Sequence, residues 1–202
     1  MTHHRRYLAL KRIFDLTLFV LSLPVLLPVV LLCAMAIRLE SPGPILFTQH
    51  RTGRDARLFR MYKFRTMVQN AEELKESLAH LNILPPPDFK ILDDPRITRV
   101  GKWLRKTSLD ELPQVINVLK GEMSLVGPRP TDFGISTYDL WHCERLEVPP
   151  GITGLWQVEG RHVTSFDERL RLDIKYIDNL SILQDIRLLF RTISVVLRGT
   201  GA

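Results

Sequence analysis

Only two cysteines occur in 202 residues, Cys33 inside an apolar run and Cys143 far downstream. They supply neither a disulfide framework nor a thiolate metal cluster, which fits a reducing compartment. His142 beside Cys143 is too little for a metal site, and no other His/Cys spacing helps, so both read as structural. The string Gly121 to Pro130 is not followed by Gly-Lys-Ser/Thr, which excludes the phosphate loop of nucleoside triphosphatases. Helix-turn-helix, zinc-finger and RNA-binding signatures are missing too, so the formal charge of +6 does not indicate a nucleic-acid partner. There is no internal repeat and no long disordered tract.

Charge itself is missing over the 22 residues between Asp15 and Arg38. As a straight helix that run would reach about 33 Å, enough to cross a bilayer core. Pro24 and Pro28 interrupt it, and each removes an N–H from the ladder, a defect of roughly 3 kcal/mol unless the helix bends. Arg5, Arg6, Lys11 and Arg12 precede the run, and Arg38 follows it with Arg51, Arg54, Arg57, Arg60, Lys63 and Arg65 beyond. A single crossing puts one cationic flank on the disfavoured side. A helix that enters one leaflet, bends at a proline and returns keeps both flanks on one face, and is the preferred reading. An ordinary span, a buried soluble helix, and a signal peptide with Ala34-Met35-Ala36 as its cleavage pattern are the alternatives.

The remaining residues, about 160, suffice for one domain with a real core and not for two large ones. Positive charge favours anionic partners such as headgroups or nucleotides. The pattern is α+β and predominantly helical. Positions 41 to 66 read as a short β-hairpin with a polar turn at Gly53-Arg54-Asp55. Its Phe47, Phe59, Tyr62 and Phe64 alternate with basic residues, as a solvated basic face or as a platform beside a phosphate. Positions 67 to 83 read as a helix with Leu74, Leu78 and Leu81 on one side, stopped by Pro85-Pro86-Pro87. The last quarter carries Leu170, Ile174 and Ile177, then Ile182, Ile186, Leu189, Ile193 and Val196 at helical spacing, with Ser181 and Gln184 as a capping box. These helices pack on the core or lie in the headgroup plane.

Arg105 to Gln114 is the densest stretch, followed by the apolar-periodic Val115 to Leu119 and a terminating Gly121. Either Ser108 caps that helix, or it starts near Asp110 with Pro113 in its first turn. Both registers put Asp110 and Glu111 at its positive end. Acidic first turns are common for stability alone, but here Arg99, Lys102, Arg105 and Lys106 precede the pair, and Arg129 follows between Pro128 and Pro130. A guanidinium stiffened in this way can pin a phosphate through two donors, and two carboxylates can share Mg²⁺ with phosphate oxygens. Trp156, Gln157 and Arg161 form a third group, as core or as the wall of a base or headgroup site.

Seven strings in order carry a family likeness: Lys11 to Asp15, Ser41 to Pro44, Tyr62 to Met67, Asp94 to Thr98, Thr107 to Gln114, Gly121 to Pro130 and Pro149 to Arg161. The chain resembles the bacterial sugar transferases, and more narrowly the monotopic polyprenyl-phosphate phosphoglycosyl transferases. The resemblance implies transfer of a sugar-1-phosphate from a UDP-sugar to polyprenyl phosphate, releasing UMP, at the cytoplasmic face of the bacterial inner membrane, where capsule, exopolysaccharide or O-antigen assembly starts. It makes Asp110 the nucleophile, with Glu111 helping to bind Mg²⁺. Lys63, Arg105 and Arg129 would hold phosphates, while Pro128, Pro130, Trp156, Gln157 and Arg161 would border the nucleotide or substrate.

The same resemblance divides the chain into a basic segment with a re-entrant helix (1–40), bent at Pro24 or Pro28, and a catalytic domain with amphipathic interfacial helices (41–202). Family members usually have Ser-Pro at the bend, whereas Leu27 precedes Pro28 here. Larger relatives have an extra multi-span region, so this is either a small form or the catalytic part of a longer protein. The expected partners are a UDP-sugar, polyprenyl phosphate and membrane lipids, without nucleic acid and with homo-oligomerisation open. The rival function is a non-catalytic basic membrane-surface module that binds anionic lipid or glycan intermediates.

Overall fold

In the computed structural model, which describes residues 2–83, 89, 91–131, 138–159 and 165–198, the charge-free run lies within one 39-residue helix, α1 (Thr2–Glu40), that contains Pro24 and Pro28. Strands β1 (Leu46–Thr52) and β2 (Leu58–Phe64) follow as an antiparallel pair in which Phe47 stands opposite Lys63. Then come α2 (Arg99–Lys106), a 3-10 segment (Leu109–Gln114) that runs into α3 (Val115–Lys120), and parallel strands β3 (Ser124–Val126) and β4 (Gly151–Thr153). Helices α4 (Leu155–Glu159), α5 (Phe166–Asp178) and α6 (Ile182–Leu197) complete a mostly helical domain.

The middle of α1 does not pack. Val20, Leu21, Val25, Leu27, Leu31 and Leu32 are each at least 55% exposed, and the helix is long and apolar enough to cross a membrane. An apolar surface of this extent marks contact with lipid or with another protein. Both ends of α1, by contrast, are fastened to the same domain. Tyr7, Lys11 and Asp15 recur every four residues, so they share one stripe, and all three are buried. Lys11 Nζ donates to Asp185 Oδ2 at 2.6 Å, the Tyr7 hydroxyl to the same oxygen at 2.9 Å, and the Tyr176 hydroxyl to Oδ1 at 2.7 Å. Asp15 accepts from Ser124 Oγ at 2.7 Å. Arg12 donates to the carbonyls of Val118 and Leu119 in the last turn of α3, where carbonyls lack a full set of intrahelical donors. At the far end Cys33 and Ile37 pack with Phe64 and Leu104, and Glu40 accepts from Val100 N at 3.1 Å.

These contacts correct one expectation. Lys11 and Arg12 read as membrane-flank cations, yet Lys11 is 3% exposed in an ion pair and Arg12 closes a helix. A charge pattern along the chain does not distinguish a headgroup partner from a carboxylate 174 residues away.

Other elements dock on this frame. Arg65 is buried and donates to the carbonyls of Pro42 at 2.6 Å and Ser41 at 2.8 Å, so it holds the turn that leaves α1. Asn117, fully buried in α3, accepts from Tyr62 N at 3.1 Å and donates to Arg60 O at 2.8 Å. It thereby satisfies the outer edge of β2. Phe59 and Met61 of β2 pack beneath with Val118 and Met123, while Val126, Val148, Leu155, Tyr176, Ile177 and Leu188 form the second apolar centre.

The helix expected over 67–83 is instead a run of turns ending in the 3-10 segment Ala79–Leu81. Bonds of the i−3 type (Ala71 N to Val68 O, Lys75 N to Glu72 O, Ala79 N to Glu76 O) mix with i−4 bonds, and Arg96 ties down both Val68 N and Ala71 O. That tertiary anchor overrides the leucine spacing. The last quarter is helical as the spacing implies, and Ser181 Oγ accepts from Gln184 N at 3.2 Å. The buried stripe of α6 centres on Asp185 and Leu188, however, and Ile193 is 55% exposed. The triple proline at 85–87 lies outside the described residues.

Candidate active site

Pro113 decides how the acidic turn is built. Because it has no N–H, an α-helix cannot bond normally through its position. Leu109–Gln114 winds as a 3-10 segment and the α-helix begins only at Val115. Ser108, read as a cap, makes no side-chain cap bond and takes a left-handed conformation (φ 56°) that turns the chain out of α2. Asp110 and Glu111 do fall in the first turn, and Gly121 (φ 78°) ends α3 as expected.

The turn places Glu111 between two cations. Lys63 Nζ from β2 lies 3.1 Å from Glu111 Oε1, and Arg129 grips both carboxylate oxygens, at 2.7 Å to Oε1 and 3.3 Å to Oε2. Burial opposes ionisation of Glu111, but Arg129 and Lys63 outweigh it and hold the carboxyl well below the usual range. Burial pushes the Lys63 ammonium down although Glu111 pulls it up, and Glu111 raises Arg129. Arg105 donates through Nε to Thr66 Oγ1 at 2.9 Å. Burial lowers its pKa while Asp110 raises it.

Asp110 is treated differently. Among the described residues no hydrogen bond and no ion pair within 4.0 Å reaches its carboxylate. Burial and then Glu111 push its pKa above the ordinary aspartate value, against the pull of Lys63, Arg105 and Arg129. One carboxylate of the pair is thus locked by cations, and its neighbour stands uncommitted within their field.

The three cations expected to hold phosphates are brought around this pair, and Arg105 and Arg129 each have a support that sequence reasoning missed. Thr66 orients Arg105, and its backbone passes so close to α2 that a Cβ on Gly101 would lie 2.1 Å from Thr66 O. Arg129 is set from behind: Arg145 donates to its carbonyl and to Asp173 Oδ2 at 2.7 Å. Burial pushes Asp173 up to about 6 despite Arg145. Asp173 falls on the Leu170–Ile177 stripe of α5, and a charge on an apolar stripe was the available signal. Pro128 and Pro130 flank Arg129 and are buried, with Pro128 O accepting from Gly151 N at 2.9 Å.

The third predicted group divides. Gln157 shares a cleft with Glu111, whereas Trp156 is turned toward α5 with the Arg169 guanidinium 5.5 Å over its ring. Arg161 lies outside the described residues. His142 is buried among the rings of Tyr138, Trp141 and Phe166, a packing role. Among the described residues no group of three or more His, Cys, Asp or Glu gathers as a metal site. The lone pairs left over are those of Asp110 and one on Glu111 Oε2, since Oε1 already accepts two bonds.

A domain fastened to a long exposed apolar helix, with a locked and a free carboxylate among three cations, defines a membrane-associated class of protein. The family model described as bacterial sugar transferase matches residues 6–199, and the chain belongs to that family. It is 48% identical over 198 residues to the galactosyl transferase CpsE of Streptococcus agalactiae serotype III, covering 97% of this chain and 44% of that protein. The undecaprenyl-phosphate galactose phosphotransferase of Salmonella typhimurium is 44% identical over 201 residues, covering 96% and 41%. The exopolysaccharide production protein ExoY of Sinorhizobium fredii is 38% identical over 197 residues, covering 95% and 87%. The chain thus spans less than half the length of the first two relatives and most of the third.

Proposed function

We propose that this chain is a phosphoglycosyl transferase that moves a sugar-1-phosphate from a UDP-sugar to a polyprenyl phosphate. The observation that carries the reading is the uncommitted Asp110 beside a Glu111 clamped by Lys63 and Arg129. In the first step an Asp110 oxygen attacks the sugar-linked phosphorus, an acyl phosphate bond forms, and the bond to the UMP oxygen breaks. UMP departs with that electron pair. In the second step an oxygen of the polyprenyl phosphate attacks the same phosphorus, and the bond to Asp110 breaks to regenerate the carboxylate. Lys63, Arg105 and Arg129 supply the positive charge that phosphate oxygens need away from bulk water. Glu111 acts as the post that fixes Lys63 and Arg129, so that the cations are in place before substrate arrives.

The uncommitted lone pairs of Asp110 and Glu111 Oε2 suit Mg²⁺, which takes one or two carboxylates and completes its shell with phosphate oxygens and water. Bound there, it would neutralise phosphate charge. Two relatives carry galactose in their names, which makes UDP-galactose the first donor to assay. The test is UMP release from a panel of UDP-sugars with undecaprenyl phosphate in nanodiscs. A chain that binds undecaprenyl phosphate but releases no UMP with any donor would be the surface module instead.

The acid limb of that activity has a defined sign. Asp110 attacks as the anion, so the rate rises with pH through its titration, and burial places that limb above the usual carboxylate value of about 3.9. Glu111→Gln removes a neighbouring charge that raises the Asp110 pKa, so the limb of the residual activity moves to lower pH. A limb that stays fixed would separate Asp110 from the chemistry.

The exposed apolar stretch of α1 is proposed to enter and leave one leaflet of the bacterial inner membrane from the cytoplasmic face. The support is that Lys11 to Asp15 and Cys33 to Glu40 both dock on the one domain, while a bend at Pro24 or Pro28 lets the two ends share a side. Single cysteines at Arg6 and Leu39, in a background without Cys33 and Cys143, will both be labelled from the cytoplasmic side. Labelling from opposite sides would mean a span.

A further inference from the structure

The charged centre has an apolar neighbour. A cleft of about 240 Å³ lies along the acidic turn, between Leu109, Leu112 and Val115 on one wall and Ile152, Val158 and Val196 on the other, with Glu111 at its edge. Ser108 lines it with a hydroxyl that makes no hydrogen bond among the described residues, but four of its other polar members spend hydrogens elsewhere. Thr107 Oγ1 donates to Trp103 O at 2.9 Å, and Thr192 Oγ1 donates to Leu188 O at 2.8 Å. Thr153 is then the donor in the 2.7 Å contact with Thr192 Oγ1, and Gln157 Nε2 donates to Ile152 O at 3.0 Å. A hexose or a pyrimidine would find few donors here, and polar groups buried without partners weaken binding. No Lys or Arg is among the described residues that line the cleft, so it does not suit a phosphate. An apolar chain needs only the volume and the walls.

The position of the cleft selects which apolar chain. Leu109 and Leu112 line it and also pack against the Cys33–Ile37 end of α1, so the wall is continuous with the flank of the exposed apolar helix. Glu111, on the same turn, also lines it and is the carboxylate clamped by Lys63 and Arg129. The lining therefore touches both the exposed apolar helix, through Leu109 and Leu112, and the cations, through Glu111.

We propose that this cleft receives the first isoprene units of the polyprenyl phosphate acceptor and guides its phosphate toward Asp110. This rests on the transferase reading above. It assigns acceptor recognition to Leu112, Val158 and Val196, side chains outside the charged centre.

The test separates acceptor from donor. Val158→Phe and Val196→Phe fill the cleft, and each raises the KM for undecaprenyl phosphate about 10-fold or more, while the KM for UDP-galactose moves less than about 3-fold. A rise in donor KM with acceptor KM unmoved would overturn the proposal by giving the cleft to the sugar or the base. A second measurement needs neither turnover nor a variant. Photolysis of the wild-type chain in nanodiscs with a diazirine-bearing farnesyl phosphate, followed by peptide mapping, places the adduct within 152–158 or 192–196. Adducts confined to α1 would overturn the cleft. If the wild-type chain releases no UMP while the adduct maps to the cleft, the transferase reading fails and the lipid site stands. Normal UMP release with adducts elsewhere fails the cleft alone.

Discussion

Asp110→Asn removes turnover, lowering UMP release by roughly 10⁴-fold or more, and leaves the fold as stable as before or more so. The amide keeps the shape of the side chain and cannot attack phosphorus. Roughly 10⁴-fold corresponds to about 5.5 kcal/mol of lost transition-state stabilisation. The stability half of the prediction follows from the raised pKa of Asp110, caused first by burial and then by Glu111. A folded pKa above the unfolded value of about 3.9 means that the native state holds the proton more tightly, so ionisation opposes folding as pH rises through that interval. Asn removes that opposition at neutral pH. Glu111 keeps both cations, because neither Lys63 nor Arg129 depends on Asp110 for its hydrogen bonds. Activity and thermal unfolding measured on one preparation test both halves. Loss of activity together with a large loss of stability would mean that Asp110 is structural.

Lys11→Met destabilises the protein by about 3–5 kcal/mol, which for a chain of this size lowers the unfolding midpoint by about 10 °C. Asp185 is completely buried, and Lys11 at 2.6 Å is its only positive partner among the described residues. Without that partner its charge is left to the hydroxyls of Tyr7 and Tyr176. The double variant Lys11→Met, Asp185→Asn recovers most of the loss, because replacing both charges removes the desolvation cost that one alone incurs. Thermal unfolding in detergent compares the three proteins. A single variant within about 1 kcal/mol of the parent would show that Lys11 serves the headgroups rather than the domain. The contact bears on function because it seats the start of α1 against α5 and α6, the helices that back Arg129 and wall the cleft.

The acidic pair and its cations were legible because their residue types are costly to gather without purpose. Asp110, Glu111 and Arg129 were singled out by their own neighbours and Lys63 by the family resemblance, and the fold brings Lys63 and Arg129 within hydrogen-bond reach of Glu111. What holds them was not legible. Thr66 supports Arg105 across 39 positions and Arg145 is paired with Asp173 across 28, and no local pattern encodes such pairings. The turns at 67–83 misled for a related reason: leucines at helical spacing were outweighed by Arg96, which grips the backbone from another segment. Pro113 shows the opposite case. Its missing N–H was visible in the sequence, and it shifts the start of the α-helix to Val115 and leaves the carboxylates on a tighter 3-10 turn.

The central claim is a covalent bond between Asp110 and the phosphosugar. Incubating the wild-type chain with UDP-galactose and Mg²⁺, without acceptor, and recording its intact mass tests this directly. The account predicts a species heavier by one hexose phosphate less water, located by peptide mapping on Asp110 and discharged when undecaprenyl phosphate is added. UMP release that occurs only when the acceptor is present, with no such species at any time, would contradict it and indicate direct transfer between two bound substrates.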